Sequence, residues 1–178
     1  MALALHLGHR RSADFHWFMP KTLAPADVLK TFSPWRCPCT SVKTTRAPSS
    51  ARWVGVDYSV FRYPYPLVES PVRIAGAAVA SVTDIAAMKM TAIAQRATKR
   101  DYVDLHAIFH GRRLDLRDVL FAMQQKYPRY DPAHSLRALT YFRDVDPQAM
   151  PVMLTDTSWD DIKRDLVRMR DRDLGPSR

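Results

Sequence analysis

Hydrophobic and polar positions alternate with a period of two in the first part of the chain. Residues 13–18, ADFHWF, and 53–63, WVGVDYSVFRY, alternate like half-buried strands, and the YPYP run ends the second one. A short extended segment is predicted at 71–76, PVRIAG. Residues 33–52 are rich in Pro, Ser and Thr and have no clean period, which indicates a loop or an irregular hairpin.

Helical spacing dominates after Ser81. Residues 81–84, SVTD, offer capping groups, and 85–97, IAAMKMTAIAQRA, contain neither Gly nor Pro. Ile85, Met88 and Ala92 fall on one face of this helix, and Lys89 and Ile93 on another. Four more helices are predicted at 99–111, 115–127, 131–142 and 158–173, and two before the helical part, at 2–7 ahead of Gly8 and at 22–32.

This order of elements predicts the fold class. Strands come first and helices follow, which is typical of an α+β fold with a small mixed sheet followed by a C-terminal helical region. We expect a sheet region over residues 1–80 and a helical region over residues 81–178.

Composition changes the picture through charge. The 178 residues carry 27 Lys and Arg against 18 Asp and Glu, a formal net charge of +9, which favours a polyanionic partner such as a nucleic acid or nucleotide. Apolar runs fall short of the roughly 20 residues that span a bilayer, and no secretory signal is recognised, so a cytoplasmic protein is expected. Cys37 and Cys39 are too few for a tetrahedral zinc site and are interpreted as reduced thiols on a loop.

The first candidate site lies on the strand at 13–18. With a period of two, Ser12, Asp14 and His16 share one face. A carboxylate and an imidazole side by side can hold a divalent cation, and the His shifts the preference from Mg²⁺ toward transition metals. The alternative is a surface strand with incidental polar residues.

Two further candidates lie in the helical part. Lys89, in an apolar stretch, either extends its ammonium to solvent or reaches an anionic group such as a nucleotide phosphate. Asp101 and Asp104, three residues apart after Arg96, form either a capped helix start with solvent ion pairs or a polar site that clamps phosphate and metal.

Two remaining groups of polar residues are interpreted as structural. The histidines at positions 106, 110 and 134 are scattered, and the mixed charges of 160–173 suggest a solvated helix face.

Four stretches together resemble one family. LALHLGHRRSADFHWF (3–18) is similar to the first motif of the AbiEii/AbiGii nucleotidyltransferase toxins, in which a serine precedes an Asp-x-Asp strand, and GVDYSVFRYPYPLVES (55–70) resembles the next strand and its turn. The family's most recognisable stretch resembles residues 80–109, ASVTDIAAMKMTAIAQRATKRDYVDLHAIF, and its C-terminal helical part resembles 136–154 and 158–166. The resemblance implies a nucleotidyltransferase fold, with residues 1–80 as an incomplete sheet region and 81–178 completing the site.

The resemblance also implies an activity and partners. Members transfer a nucleotide from an NTP to an acceptor, which is the 3′ end of tRNA in some relatives, and act as toxins of toxin–antitoxin and abortive-infection systems. Mg²⁺ or Mn²⁺ would be the cofactor, and an antitoxin would act on or near the same operon. The implied roles are metal binding by Asp14 with His16, triphosphate contact by Ser12, neutralisation of phosphate charge by Lys89, completion of the site by Asp104, and nucleotide-binding support by Arg96 and Asp101.

The sequence also departs from the family pattern. A Gly-rich turn that precedes the first strand in the family does not match, and His16 replaces the second Asp of Asp-x-Asp. Ser59 stands at the position of a third carboxylate, with Asp57 as a substitute two residues away. We therefore expect an N-terminally truncated, partly degenerate member with weakened activity. The alternative is a non-catalytic remnant that binds RNA or a partner protein.

Overall fold

The computed structural model describes residues 2–20, 39–44, 49–53, 56–111 and 114–175, with the backbone alone at 39–44, 49–53 and 56–58. The predicted helix at 22–32 and Cys37 lie outside the described residues. The elements are α1 (Ala2–Leu7), β1 (Asp14–Met19), β2 (Cys39–Thr44), β3 (Ser49–Trp53), β4 (Val56–Arg62), β5 (Val72–Ile74), β6 (Ala77–Val79), α2 (Val82–Gln95), α3 (Lys99–His110), α4 (Leu116–Lys126), α5 (Ala133–Leu139) and α6 (Trp159–Leu174).

The chain forms two compact units. One comprises Ser12–Pro66, and the other comprises Ala2–Arg11 together with Leu67–Arg178. None of the helices in the described ranges is both long and apolar enough to cross a membrane.

The Ser12–Pro66 unit is built on a mixed four-stranded sheet. Its order is β1-β4-β3-β2, in which β1 runs parallel to β4 and the other neighbours are antiparallel. The mixed sheet is confirmed. Among the described residues of 33–52, the antiparallel pairing of β2 and β3 agrees with the hairpin alternative. The single strand predicted over 53–63 is wrong in extent: Trp53 belongs to β3 and pairs with Val56 at the start of β4.

Strand β1 is present as predicted, but its burial does not alternate. Asp14 and Phe15 are partly buried, whereas His16, Trp17 and Phe18 are exposed. Aromatic contacts with the neighbouring strand stabilise this surface instead: the rings of Phe18 and Phe61 stack with centroids 5.8 Å apart.

The second unit is a helical cluster around α2. Ser81 caps this helix by accepting a hydrogen bond from the Asp84 amide, as the sequence indicated. The two faces predicted for α2 cover too little of the helix, because α2 packs against α3, α4 and α5 and its buried surface is wider. Ala86 and Met90, which lie beyond Ile93 around the helix axis, are fully buried as well.

The remaining elements of this unit follow local signals. The four predicted helices after α2 are confirmed, and capping boxes begin two of them, at Asp115 for α4 and Ser158 for α6. In α6, the charged residues surround a narrow buried stripe that contains Ile162 and Leu166. The β5–β6 hairpin reverses at Ala75 and Gly76, both with positive φ, where Gly carries little steric cost.

Candidate functional site

The carboxylate of Asp104 on α3 lies at the centre of a buried ion-pair cluster. Its Oδ1 accepts from His9 Nε2 at 2.8 Å and from Arg10 Nε at 2.6 Å. Its Oδ2 accepts from Arg10 Nη2 at 2.9 Å and lies 2.7 Å from Lys89 Nζ. Only 1% of Asp104 is exposed. These four nitrogen contacts use the whole acceptor capacity of the carboxylate.

The segment after α1 delivers His9 and Arg10 to this carboxylate. Gly8 ends α1 with a φ of 60°, which turns the chain away from the helix. The next residues then pair with 152–154: the Arg11 amide donates to the Val152 carbonyl at 2.8 Å, and the Leu154 amide donates to the His9 carbonyl at 2.9 Å. The backbone pairing fixes the direction in which both side chains leave the chain.

Lys89 joins α2 to α3 through two carboxylates. Its Nζ donates to Asp101 Oδ1 at 2.7 Å and lies at the same distance from Asp104 Oδ2, while 22% of the side chain remains exposed. Thr98, the residue before α3, donates its hydroxyl to Asp101 Oδ2 at 2.7 Å. Lys89 therefore neither extends freely into solvent nor depends on an external anion for a partner.

The electrostatics of the cluster are balanced. Burial on its own would raise the pKa of Asp104, but the hydrogen bonds from His9 and Arg10 and the charges of Lys89 and Arg10 hold that pKa well below its ordinary range. Two carboxylates thus face two permanent cations, which is the condition under which buried charges are tolerated. His9 Nδ1 has no hydrogen-bond partner among the described residues, consistent with a tautomer that carries its proton on Nε2.

Arg96 lies at the edge of this cluster. Its side chain is 62% exposed, and Nη1 lies 4.0 Å from Asp101 Oδ2. The guanidinium can therefore reach a ligand in solvent without breaking a short ion pair, unlike Lys89. The structure differs from both interpretations of Asp101 and Asp104. The acids form ion pairs, as a capped helix start would, but these ion pairs are buried rather than exposed to solvent.

The acids of this cluster do not fit a divalent metal as they stand. Every acceptor position of Asp104 is filled by a nitrogen, and both oxygens of Asp101 have donors from Lys89 and Thr98. A hard cation would have to displace these donors, since it needs carboxylate oxygens directed at it.

Asp14 and His16 on β1, and Ser12 two residues before that strand, belong to the other compact unit. Asp14 is partly exposed on β1, and His16 is exposed with its ring edge-on to Phe61 at 5.3 Å between centroids. The parallel register places Asp57 opposite Asp14, and Ser59 opposite His16. The carboxylate of Asp14 is the kind of hard oxygen donor that a divalent cation prefers.

Sequence reasoning missed a second buried ion pair. Lys126 Nζ donates to Asp84 Oδ1 at 2.6 Å, and neither side chain is exposed. Asp84 also accepts from the amides of Val68 and Glu69 and from the hydroxyl of Ser81. Burial would raise the pKa of Asp84, but these partners lower it overall. This pair links α2 to α4 and provides a structural comparison for the Asp104 cluster.

The arrangement thus brings together His9, Arg10, Lys89, Asp101 and Asp104. The sequence named the two acids and the lysine as candidates but did not single out His9 and Arg10. The sequence feature that could have indicated them is the helix end at Gly8, which is followed at once by these two basic residues. Whether these residues act in catalysis stays a prediction.

Comparison with known proteins identifies the family. The family model described as nucleotidyl transferase AbiEii toxin, type IV toxin–antitoxin system, matches residues 35–175, a range that includes all of α2 and α3. An uncharacterized protein of Aquifex aeolicus (strain VF5) is 32% identical over 158 residues, covering 81% of this chain and 71% of that protein. No solved structure matches the chain significantly. The resemblance stated from the motifs is confirmed: the chain belongs to the nucleotidyl transferase AbiEii toxin family of type IV toxin–antitoxin systems.

Proposed function

We propose that this chain is a nucleotidyltransferase toxin that transfers a nucleotide from an NTP to an RNA acceptor, with tRNA as the first acceptor to test. The family supports transferase activity and implies an antitoxin partner. The net charge of +9 supports an RNA acceptor, because it favours binding to phosphates. We place the protein in the cytoplasm, where NTPs and RNA are available.

The reaction attaches a nucleoside monophosphate to the acceptor. An acceptor hydroxyl attacks the α-phosphorus of the NTP, a new P–O ester bond forms, the α–β phosphoanhydride bond breaks, and pyrophosphate leaves with the displaced electron pair. The hydroxyl proton is released to a base or to water. Negative charge develops on the triphosphate oxygens, so cations near these oxygens lower the barrier.

Asp14 and His16 are the proposed metal ligands, and Ser12 the proposed triphosphate contact. The partial exposure of Asp14 and its register position opposite Asp57 support this role. When bound, Mg²⁺ or Mn²⁺ would offset triphosphate charge. An imidazole in place of a second carboxylate binds Mg²⁺ poorly, which supports weakened activity with that ion.

The observation that carries the proposal for the helical unit is the ammonium of Lys89, held by two buried carboxylates within the range of the family match. An ammonium fixed in this way is oriented before a ligand arrives, and its exposed fifth leaves a route for a phosphate oxygen. Asp101 and Asp104 then act as positioning residues for Lys89 and Arg10. The exposed guanidinium of Arg96 supplies a further contact to the nucleotide.

Transfer of labelled nucleotide provides the test. The full chain is incubated with each α-labelled NTP, total RNA and Mg²⁺ or Mn²⁺, and the RNA is separated and counted. We expect label in RNA with wild type, loss of label with Asp14→Asn, and retention with Asp156→Asn, which removes an exposed carboxylate from a loop of the other unit. Absence of label with every NTP, or equal label in both variants, would contradict the proposal.

One observation favours a second function, a non-catalytic RNA-binding protein. The complete saturation of Asp104 by nitrogens is also what a purely structural ion cluster would have. Such a protein would bind RNA with an affinity that falls steeply as salt rises, and the affinity would be the same in Asp14→Asn. Binding without transfer would favour this function over the enzyme.

A further inference from the structure

Two histidines and one aspartate form a compact group between α3 and α6. His106 and His110 are four residues apart on α3, so they occupy one face, and their rings stack with centroids 5.2 Å apart. On α6, Asp165 Oδ2 accepts from His106 Nε2 at 3.1 Å. One ligand atom from each of the three residues lies within 4.8 Å of the others.

This group is distinct from the Asp104 cluster. Asp104 and His106 are two residues apart on the same helix, which places them about 200° apart around its axis at 3.6 residues per turn. The two histidines therefore face away from the acids that hold Lys89.

The packing of both helices fixes the group in place. Leu105 and Ile108 on α3 and Ile162 and Leu166 on α6 are at most 1% exposed. His106 is itself buried, Asp165 is 34% exposed, and His110 is exposed at the end of α3. The three ligand atoms are thus carried by two rigid helices, which is the support that a metal site requires.

An open pocket adjoins the group. It has a volume of about 450 Å³ and is lined by His106, Phe109, His110, Asp165, Leu166, Arg168, Met169 and Arg172. A cation held by the three ligands would keep a coordination position open toward this space. Of the two arginines, Arg172 donates Nε to Asp173 at 2.6 Å, so part of its charge is already balanced.

We propose that His106, His110 and Asp165 bind a divalent transition cation of the zinc class, with water or an anion from the pocket as a fourth ligand. Two imidazoles and one carboxylate are a donor set that Zn²⁺ accepts in tetrahedral sites with one open position. Tetrahedral ligands with bonds of about 2.0–2.2 Å are roughly 3.3–3.6 Å apart, so only modest side-chain rotation is needed from the present spacing. Mg²⁺ does not suit the site, because it prefers oxygen ligands in octahedral geometry.

The function of such a site would be to hold α3 and α6 together. The cation would replace the hydrogen bond between His106 and Asp165 with two coordinate bonds and would add His110 to the link. Binding to the folded state alone stabilises it by a free energy that grows with the logarithm of the ligand concentration above Kd. This inference is independent of nucleotidyl transfer, which uses other residues.

The test measures Zn²⁺ binding to the full chain without a histidine tag, after removal of metal by a chelator. Isothermal titration and the visible absorbance of Co²⁺ as a substitute ion both report on the site. We expect one Zn²⁺ ion bound by these three residues and a higher thermal midpoint with Zn²⁺. His110→Ala, which alters an exposed residue, and Asp165→Asn are each expected to weaken binding at least tenfold, as loss of even an outer partner commonly does.

One control separates this site from other histidines. His134→Ala removes an exposed imidazole on α5 that accepts from Arg137. This change is not expected to alter the Zn²⁺ affinity by more than twofold. The inference is overturned if wild type binds no Zn²⁺, if His110→Ala binds as wild type does, or if the control variant loses as much affinity as His110→Ala.

Discussion

Arg10 and Asp104, 94 residues apart in the chain, form a two-pronged ion pair in which Arg10 Nε lies 2.6 Å from Oδ1 and Nη2 lies 2.9 Å from Oδ2. This pair links the segment after α1 to α3. Lys89 approaches the same carboxylate from α2, so one buried anion connects three segments of the helical unit.

Arg10→Met is expected to destabilise the protein by about 3–5 kcal/mol, because it leaves a buried carboxylate short of its main partner. The adjacent Arg11 is exposed, and Arg11→Met is expected to change stability by no more than about 0.5 kcal/mol. Urea unfolding of the two variants measures both values. Equal stability of the two variants would mean that the ion pair contributes nothing specific.

Asp104→Asn is expected to weaken NTP binding as well as stability, because the neutral amide no longer orients Lys89 and Arg10. Asp84→Asn is the matched control, since Asp84 is equally buried and also paired with a lysine, but outside the cluster. Calorimetric titration at a temperature where both variants remain folded should show affinity reduced roughly tenfold, or about 1.4 kcal/mol, in the first variant alone. Equal affinities in the two variants would reduce Asp104 to a structural role.

Acid is expected to destabilise the protein below about pH 4. The pKa values of Asp104 and Asp84 are lowered in the folded state from the ordinary value of 3.8, so the folded state keeps these groups charged when the unfolded state takes up protons. Their contribution is complete above that ordinary value and is lost as the pH falls toward the folded-state pKa. His9, Arg10 and Lys89 face Asp104, and Lys126 faces Asp84.

Urea unfolding at a series of pH values measures this dependence. The free energy of unfolding should fall with acidification in wild type and fall less in Asp104→Asn, which has lost one titrating group. Identical pH profiles for the two proteins would contradict a contribution of Asp104 to the acid sensitivity.

His16→Asp is expected to shift the preferred metal of the transfer reaction from Mn²⁺ toward Mg²⁺. A second carboxylate beside Asp14 suits the harder ion, whereas imidazole suits transition metals. The ratio of initial rates in the two metals is the measurement, and His134→Asp serves as the control for a changed surface charge. An unchanged ratio in His16→Asp would indicate that His16 does not face the metal.

Local signals were enough to predict most of the helical unit. The caps at Ser81, Asp115 and Ser158 and the Gly8 stop are determined by residues within one turn, so they can be read in the sequence. The α+β class followed from the order of these elements. The extent of β4 could not be predicted, because the alternation continues from β3 through Trp53 into the next strand.

The partners of the candidate residues could not be predicted from periodicity. Asp101 and Asp104 have the spacing of an exposed capped helix start. Their burial goes with tertiary contacts instead, from His9 and Arg10 to Asp104 and from Lys89 to both acids. Asp84 was recognised as part of a cap, yet its pairing with Lys126 depends on packing of α4 against α2. Charge pairs over long sequence separations carry no local signal.

The most direct test of the proposed role of Lys89 is to measure transfer of labelled nucleotide to RNA by Lys89→Met and by Lys163→Met. Lys163 lies on α6 and pairs with Asp160, so its loss removes one positive charge without touching the cluster. We predict that Lys163→Met transfers at the wild-type rate, while Lys89→Met loses a contact of about 1.5–3 kcal/mol, a reduction of roughly 10- to 100-fold. Wild-type rates in both variants, or no transfer by the wild-type protein, would contradict the account.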